Sequence, residues 1–237
     1  MGSTRLPGKV LMDLGGQSVL SRVVRRLARA KLLQQIVVAT SVAPADDAIM
    51  AACLRLQVPC FRGSEGDVLD RYYQTARDWP SDAVVRITAD CPLIDPEVVD
   101  QTIGMFLSSG ADYTSNVTPR TYPRGLDTEV FTVAGLERCW REAREPHQRE
   151  HVTPFFYECP GRFRISSLSG PEDYSRYRLT LDTPEDLQLL RAVYASFDNR
   201  DTVSWQEVVG LLERRPDLAA LNSHVAQKPL HQTPACA

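Results

Sequence analysis

Apolar residues recur every three to four positions from Val19 to Ala30, where Val19, Leu20, Val23, Val24 and Leu27 form one stripe of a helix. The arginines between them, Arg22, Arg25, Arg26 and Arg29, are assigned to its wet face. An unbroken apolar run, Ile36 to Ala39, comes next, then a second helical period from about Ala45 to Leu56 and a run from Val58 to Phe61. The alternation continues with a helix near Val68 to Ala76 and a strand over Ala83 to Thr88. A further helix opens at Asp95-Pro96-Glu97, where Asp can cap and Pro suits the first turn. Tyr177 to Leu181 reads as another strand, and Thr183-Pro184-Glu185-Asp186 opens a helix with the stripe Leu187, Leu190, Val193, Tyr194 and Phe197. Ser204 with Glu207 is a capping box for a last helix through Leu212.

Continuous apolar strands separated by amphipathic helices predict an α/β fold, a mainly parallel sheet with helices on both faces. Between about Ala111 and Leu168 the pattern changes. Asp112 to Val117, Thr128 to Val133 and Phe163 to Leu168 read as strands in a stretch dense in Pro, Arg and Tyr, taken as a small β-containing insertion or lid. Residues 1–222 are therefore expected to form one domain. Residues 223–237 lack periodicity and are expected to be a frayed tail.

Composition narrows the function classes. The chain has 237 residues, 27 Lys+Arg against 30 Asp+Glu and a formal charge of −3, so no basic excess points to nucleic acid. No stretch approaches the ~18 apolar residues of a membrane span, and no N-terminal apolar run marks a secretory signal. A soluble, cytoplasmic protein is expected. Myristoylation at Gly2 is set aside because Leu6 stands where that motif wants Ser or Thr. The cysteines, Cys53, Cys60, Cys91, Cys139, Cys159 and Cys236, form no C-x-x-C pair, which argues against metal knuckles. His147 and His151 have i, i+4 spacing but lack the intervening Glu and a third ligand of a zinc site.

In open parallel sheets ligands bind beyond the carboxyl ends of strands. Asp90 follows the run Val84 to Ala89, and Asp182 follows Leu179-Thr180-Leu181. Such a pair could hold Mg²⁺ together with phosphate oxygens, although each could equally cap the helix after it. The N-terminal stretch Gly2-Ser3-Thr4-Arg5-Leu6-Pro7-Gly8-Lys9 is a glycine and hydroxyl loop with two cations, of the kind that cradles phosphate. It is not a P-loop. Five residues separate Gly2 from Gly8 where that motif has four, Val10 replaces its Mg²⁺-binding hydroxyl, and Pro7 lacks an N–H.

The same N-terminal stretch resembles the signature of sugar nucleotidyltransferases, specifically the cytidylyltransferases that make CMP-KDO and CMP-neuraminate. Further blocks resemble the SpsF-like spore-coat polysaccharide branch of that family: Phe61-Arg62-Gly63-Ser64 with Asp70-Arg71, Thr88 to Ile94, Gly125 to Phe131, Arg149-Glu150-His151-Val152-Thr153-Pro154, and Leu181 to Leu187. They occur in order from residue 1 to about 228. The resemblance implies a nucleotide-diphospho-sugar transferase (Rossmann-like) fold, CTP as donor, a sugar or sugar-acid acceptor and a homodimer. It implies Mg²⁺ at Asp90 and Asp182, and triphosphate contacts from Gly2, Ser3, Thr4, Arg5, Gly8 and Lys9. Arg62 and Arg71 match a segment near the nucleotide more loosely. Tyr122, Arg124, Asp127, Glu129, Arg149 and His151 match the SpsF branch as candidate acceptor residues. For Asp127 and Glu129, ordinary strand polarity explains the pattern equally well.

Two departures stand out. In the family the signature loop follows a buried first strand ending in an Ala-Arg pair, and Met1 stands just after that position. About four core side chains at ~1.5–3 kcal/mol each would be missing, comparable with a whole domain's stability, so a start upstream of Met1 is expected. Arg86 replaces a small amide of the CMP-KDO type. The expected reaction is nucleotidyl transfer from CTP with release of pyrophosphate, Arg5 and Lys9 offsetting the departing charge. Two alternatives are a glycosyltransferase, disfavoured because no Asp-x-Asp occurs, and a nucleotide-binding protein impaired in turnover.

Overall fold

The computed structural model describes residues 1–3 and 5–227; Thr4 and most of the expected tail lie outside the described residues. Helix α1 (Val19–Leu27) is capped by the Ser18 hydroxyl, which accepts from the Ser21 N–H. Strands β1 (Val38–Ser41) and β2 (Cys60–Gly63) pair in parallel around α2 (Asp47–Leu56). After α3 (Val68–Asp78), strand β3 (Ala83–Arg86) belongs to a second sheet of order β3-β5-β4-β6. Here β5 (Glu129–Thr132) is antiparallel to both β3 and β4 (Tyr113–Ser115), and β6 (Ile165–Ser167) is parallel to β4. Segment 111–168 supplies three of those four strands, so it is built into the sheet.

Alternation along the strands sends neighbouring side chains to opposite faces. Val85 and Val130 meet Val23 and Leu27 of α1, with Val99 and Ile103 of α4 (Pro96–Ser109), on one face. On the other, Val84 and Phe131 meet Leu69 of α3, Leu136 of α5 (Val133–Glu142) and Phe156 of α7 (Pro154–Glu158). Helix α6 (Pro146–His151) leads into α7. Helices α8 (Pro184–Ser196) and α9 (Trp205–Arg214) close a third cluster around Leu93, Leu179 and Leu181. The α/β architecture with helices on both faces is as expected.

Three local expectations change. Arg22 and Arg26 are buried rather than wet, at 2% and 0% exposure. Arg26 donates to the carbonyls of Ile94 at 2.6 Å, Asp201 at 2.9 Å and Val203 at 2.8 Å. Arg22 donates to the carbonyls of Leu14, Gly15 and Asn199 and to the Asp201 carboxylate. Together they bind α1 to the loop after Asp90 and to the chain after α8. Second, Tyr177 to Leu181 makes one isolated bridge, Arg124 with Arg178, and no strand, because its neighbours are loops; Leu179 and Leu181 are buried as the pattern implied. Third, β1 and β3 share no hydrogen-bond ladder. Helix α1 spans them instead, Leu20 and Val24 clustering with Val38 while Val23 and Leu27 cluster with Val85. Among the described residues no helix is long and apolar enough to cross a membrane.

Candidate active site

Three chain segments converge beyond β3. Lys9 opens a 3₁₀ turn, Lys9–Leu11, behind Gly8, whose φ of 70° is the left-handed conformation that glycine adopts without strain. Asp90 lies in the loop after β3, and Asp182 precedes the Thr183 cap of α8. Backbone contacts bring the last two together: the Leu181 N–H donates to the Asp90 carbonyl at 2.8 Å. The Lys9 ammonium then donates to Asp90 Oδ2 at 2.5 Å and Asp182 Oδ1 at 2.8 Å. Arg5 lies 3.1 Å from Asp182 Oδ2, which also accepts from Arg178 at 2.6 Å.

Burial pulls the Lys9 pKa down, yet the fields and hydrogen bonds of Asp90 and Asp182 outweigh it and leave the pKa raised. Burial likewise pushes the Asp182 carboxyl up, but Lys9, Arg5 and Arg178 prevail and hold it below the usual range. The site therefore keeps both partners charged near neutrality. Its donor set also fits a divalent ion. Two hard carboxylate oxygens from separate elements already share one cationic position. Substrate oxygens and water would complete the shell of a Mg²⁺ ion there.

Sequence reading missed the residues that aim Asp182. Asp186, fully buried, accepts from the backbone N–H groups of Asp182 at 2.8 Å and Thr183 at 3.0 Å. It also receives Arg178 Nε at 2.9 Å and Asn222 Nδ2 at 2.8 Å. The signal was present: Thr183 and Asp186 form a capping box, and the box's carboxylate doubles as a clamp on the site.

Gly2 and Ser3 precede this turn, and the Ser3 hydroxyl accepts from the Leu6 N–H. Arg62 is committed to protein partners, donating to the Ser41 and Ala43 carbonyls and the Asp47 carboxylate. Arg71 donates to the Ser64 carbonyl, while its buried Nε has no partner. The candidate acceptor residues separate into two groups. Asp127 holds Arg120 through both oxygens, and Glu129 joins Arg86 and the Tyr113 hydroxyl. His151 stands near this second cluster, its pKa lowered by burial first and by Arg86 and His147 after it. Arg124 lies beside Arg178 through their backbone bridge. Tyr122 and Arg149 sit elsewhere. Tyr122 packs edge-on to Trp205 in a core cluster with Val98 and Leu126, and Arg149 ties α6 to Asp67 at 3.0 Å and to the Trp140 carbonyl at 2.7 Å.

Comparison with known proteins shows the family. A cytidylyltransferase family model matches residues 1–209. The chain is 37% identical to the spore coat polysaccharide biosynthesis protein SpsF of Bacillus subtilis, across 92% of this chain and 93% of that protein. It is 30% identical to a 3-deoxy-manno-octulosonate cytidylyltransferase of an Anaeromyxobacter species, across 82% of this chain and 93% of that one. A solved cytidylyltransferase from Leptospira borgpetersenii superposes with a TM-score of 0.89 at 33% identity, covering 98% of this chain and 95% of that structure.

Proposed function

Because the chain belongs to the cytidylyltransferase family, we propose that it transfers CMP from CTP to a sugar or sugar-acid acceptor, releasing pyrophosphate, in cell-surface or spore-coat polysaccharide synthesis. The observation that carries this reading is the meeting of Asp90, Asp182, Lys9 and Arg5, drawn from three distant parts of the chain. The acceptor oxygen, either a phosphate oxyanion or a hydroxyl whose proton passes to water, forms a bond to the α-phosphorus of CTP as the bond from that phosphorus to the α,β-bridging oxygen breaks, and pyrophosphate leaves with that electron pair. Such chemistry asks the protein for positioning and charge.

Asp90 and Asp182 would hold Mg²⁺, which when bound supplies Lewis-acid polarisation of phosphate oxygens. Arg5 and Lys9 offset charge gathering on the pyrophosphate, an effect of ~2.7–4 kcal/mol per well-placed donor. Arg178 and Asp186 are positioning residues that keep Asp182 aimed at the site. Asp127, Glu129 and His151 stay candidate acceptor residues in this reading, with Arg86, Arg120 and Tyr113 fixing the two carboxylates. The reading places the enzyme in the cytoplasm with its nucleotide substrate and expects a homodimer, which light scattering measures.

Pyrophosphate release with CTP, compared with UTP, ATP and GTP, tests the donor. Asp90→Asn should lower turnover by about 10²-fold or more, on the scale of other single electrostatic groups. Near-wild-type turnover in that variant would overturn the assignment of Asp90, and CTP binding without product over a panel of sugar acids and sugar phosphates would identify a nucleotide-binding protein instead.

A further inference from the structure

Asp90 and Asp182 offer four carboxylate oxygens, and three of them already face a cation. Asp90 Oδ2 and Asp182 Oδ1 accept from the Lys9 ammonium at 2.5 Å and 2.8 Å, and Asp182 Oδ2 meets Arg178 at 2.6 Å and Arg5 at 3.1 Å. The fourth, Asp90 Oδ1, has the Cys91 thiol at 3.7 Å. Asp186 takes Arg178 from the other side, so three cations stand against three carboxylates and the group is neutral. Water shields it little, the Lys9 side chain being 13% exposed and that of Asp182 14%.

The three cations are not equally free to leave. Arg178 is clamped by Asp186 at 2.9 Å and by Gln227 at 2.7 Å. Arg5 reaches only Asp182 among the described residues. Lys9 alone spans both carboxylates, on a flexible four-carbon stem. A cavity of about 80 Å³ opens beside it, lined by Gly2, Ser3, Gly8 and Lys9 itself, which gives the side chain room to turn.

A bare divalent ion bridging the same two oxygens would need the position that the ammonium holds, and it would add two uncompensated positive charges to a neutral, half-buried group. That is unfavourable where the local dielectric is low. A divalent ion that arrives with a nucleoside triphosphate brings more negative charge than positive, and its phosphate oxygens offer the displaced ammonium a charge-assisted partner.

We propose that Lys9 makes metal binding conditional on the nucleotide: its ammonium holds the place between Asp90 and Asp182 against a bare divalent ion and yields it to one that comes with the triphosphate. This rests on the nucleotidyl-transfer reading and adds to it a selection of the metal–nucleotide complex over the free metal, together with the residue that makes the selection.

The test uses the full chain and needs no turnover. Mn²⁺ is titrated without nucleotide while electron paramagnetic resonance reads the free ion. Lys9→Met should bind Mn²⁺ about tenfold or more tightly than the wild type, and Lys9→Arg, which keeps the charge, should stay near the wild-type affinity. Adding Asp90→Asn to Lys9→Met should abolish the gain. A lysine that only supported the fold would leave Mn²⁺ binding unchanged or weaker when replaced. Equal or weaker binding in Lys9→Met, or a gain that survives Asp90→Asn, overturns the proposal. A second measurement needs only the wild type. The sequence has three lysines, Lys9, Lys31 and Lys228, so ¹³C spectra of the lysine Cε atoms are simple, and Lys9→Arg identifies the Lys9 signal by its loss. Millimolar Mg²⁺ alone should leave that signal in place, and Mg²⁺ with CTP should move it; movement by Mg²⁺ alone overturns the proposal. Calorimetry with Mg²⁺ and CTP separates the two levels. Absence of CTP binding defeats the nucleotide reading, whereas CTP binding beside an unchanged Mn²⁺ affinity in Lys9→Met defeats only the role given to Lys9.

Discussion

Replacing Lys9 with Met keeps the side-chain length and removes the charge that joins Asp90 to Asp182. The ammonium lies 2.5 Å and 2.8 Å from the two carboxylates, and its side chain is 13% exposed against 22% and 14% for theirs. At an effective dielectric constant of ~20, each contact is worth roughly 6 kcal/mol of gross Coulomb energy, most of it offset by desolvation. Removing one member of a fully buried pair costs ~3–5 kcal/mol. Partial exposure, and the Arg5 and Arg178 contacts that still serve Asp182, reduce this to about 2–3 kcal/mol. Urea unfolding at pH 7 and low salt measures it. Adding Asp90→Asn to Lys9→Met should recover at least ~1 kcal/mol, since the second change removes the carboxylate left unpaired. Mg²⁺ should raise the melting temperature of Lys9→Met more than that of the wild type, because the variant presents the two carboxylates without the competing ammonium. A loss within ~0.5 kcal/mol and additive double-variant behaviour would refute the reasoning that these charges form one coupled centre.

Arg26→Met should cost ~3 kcal/mol or more, because the Ile94, Asp201 and Val203 carbonyls lose their donor inside the core; the urea midpoint should fall with an unchanged slope. Gly125→Ala should destabilise by several kcal/mol, beyond the ~1–3 kcal/mol of backbone strain alone, since its Cβ would press on Leu179 and Thr180; soluble yield and melting temperature report this. Acid stability follows from Asp182, whose carboxyl is held low by Lys9, Arg5 and Arg178 against its burial. That contribution is complete above the unfolded pKa of ~3.9 and disappears as pH falls through the lower folded value, so Asp182→Asn should flatten the drop in stability below about pH 4. Lys9 acts in the opposite sense: its raised pKa contributes fully below ~10.4 and is lost as pH rises through the folded value above that.

Much of the fold was legible because the apolar period is strong where helices are amphipathic. Val19, Val23 and Leu27 fall inward as the period requires. Arg22 and Arg26 fall on the same inward side, and residue type misled where position did not. Leu14 and Gly15 lie close to Arg22 in sequence, but the Asn199, Asp201 and Val203 carbonyls that complete the two guanidinium groups lie more than 170 residues away, and nothing local announces them. Asp90 and Asp182 were legible because each ends an apolar run. Asp186 was visible only as a helix cap, since its second task depends on Arg178 and Asn222 folding back over it. Tyr122 and Arg149 matched motifs whose sequence says nothing of their neighbours: the first packs in a core cluster and the second pairs with Asp67.

The gap in the ladder between β1 and β3 decides what kind of force joins the two strand groups. A continuous sheet is held by main-chain bonds at every step, whereas here the two strand groups are coupled by the side chains of α1 and α3 and by loops. Val23 and Leu27 of α1 grip one group and Leu20 and Val24 the other, while Leu69 of α3 packs on Val84 and Phe131, so the cohesion between the groups is set by apolar side chains and changes with their volume.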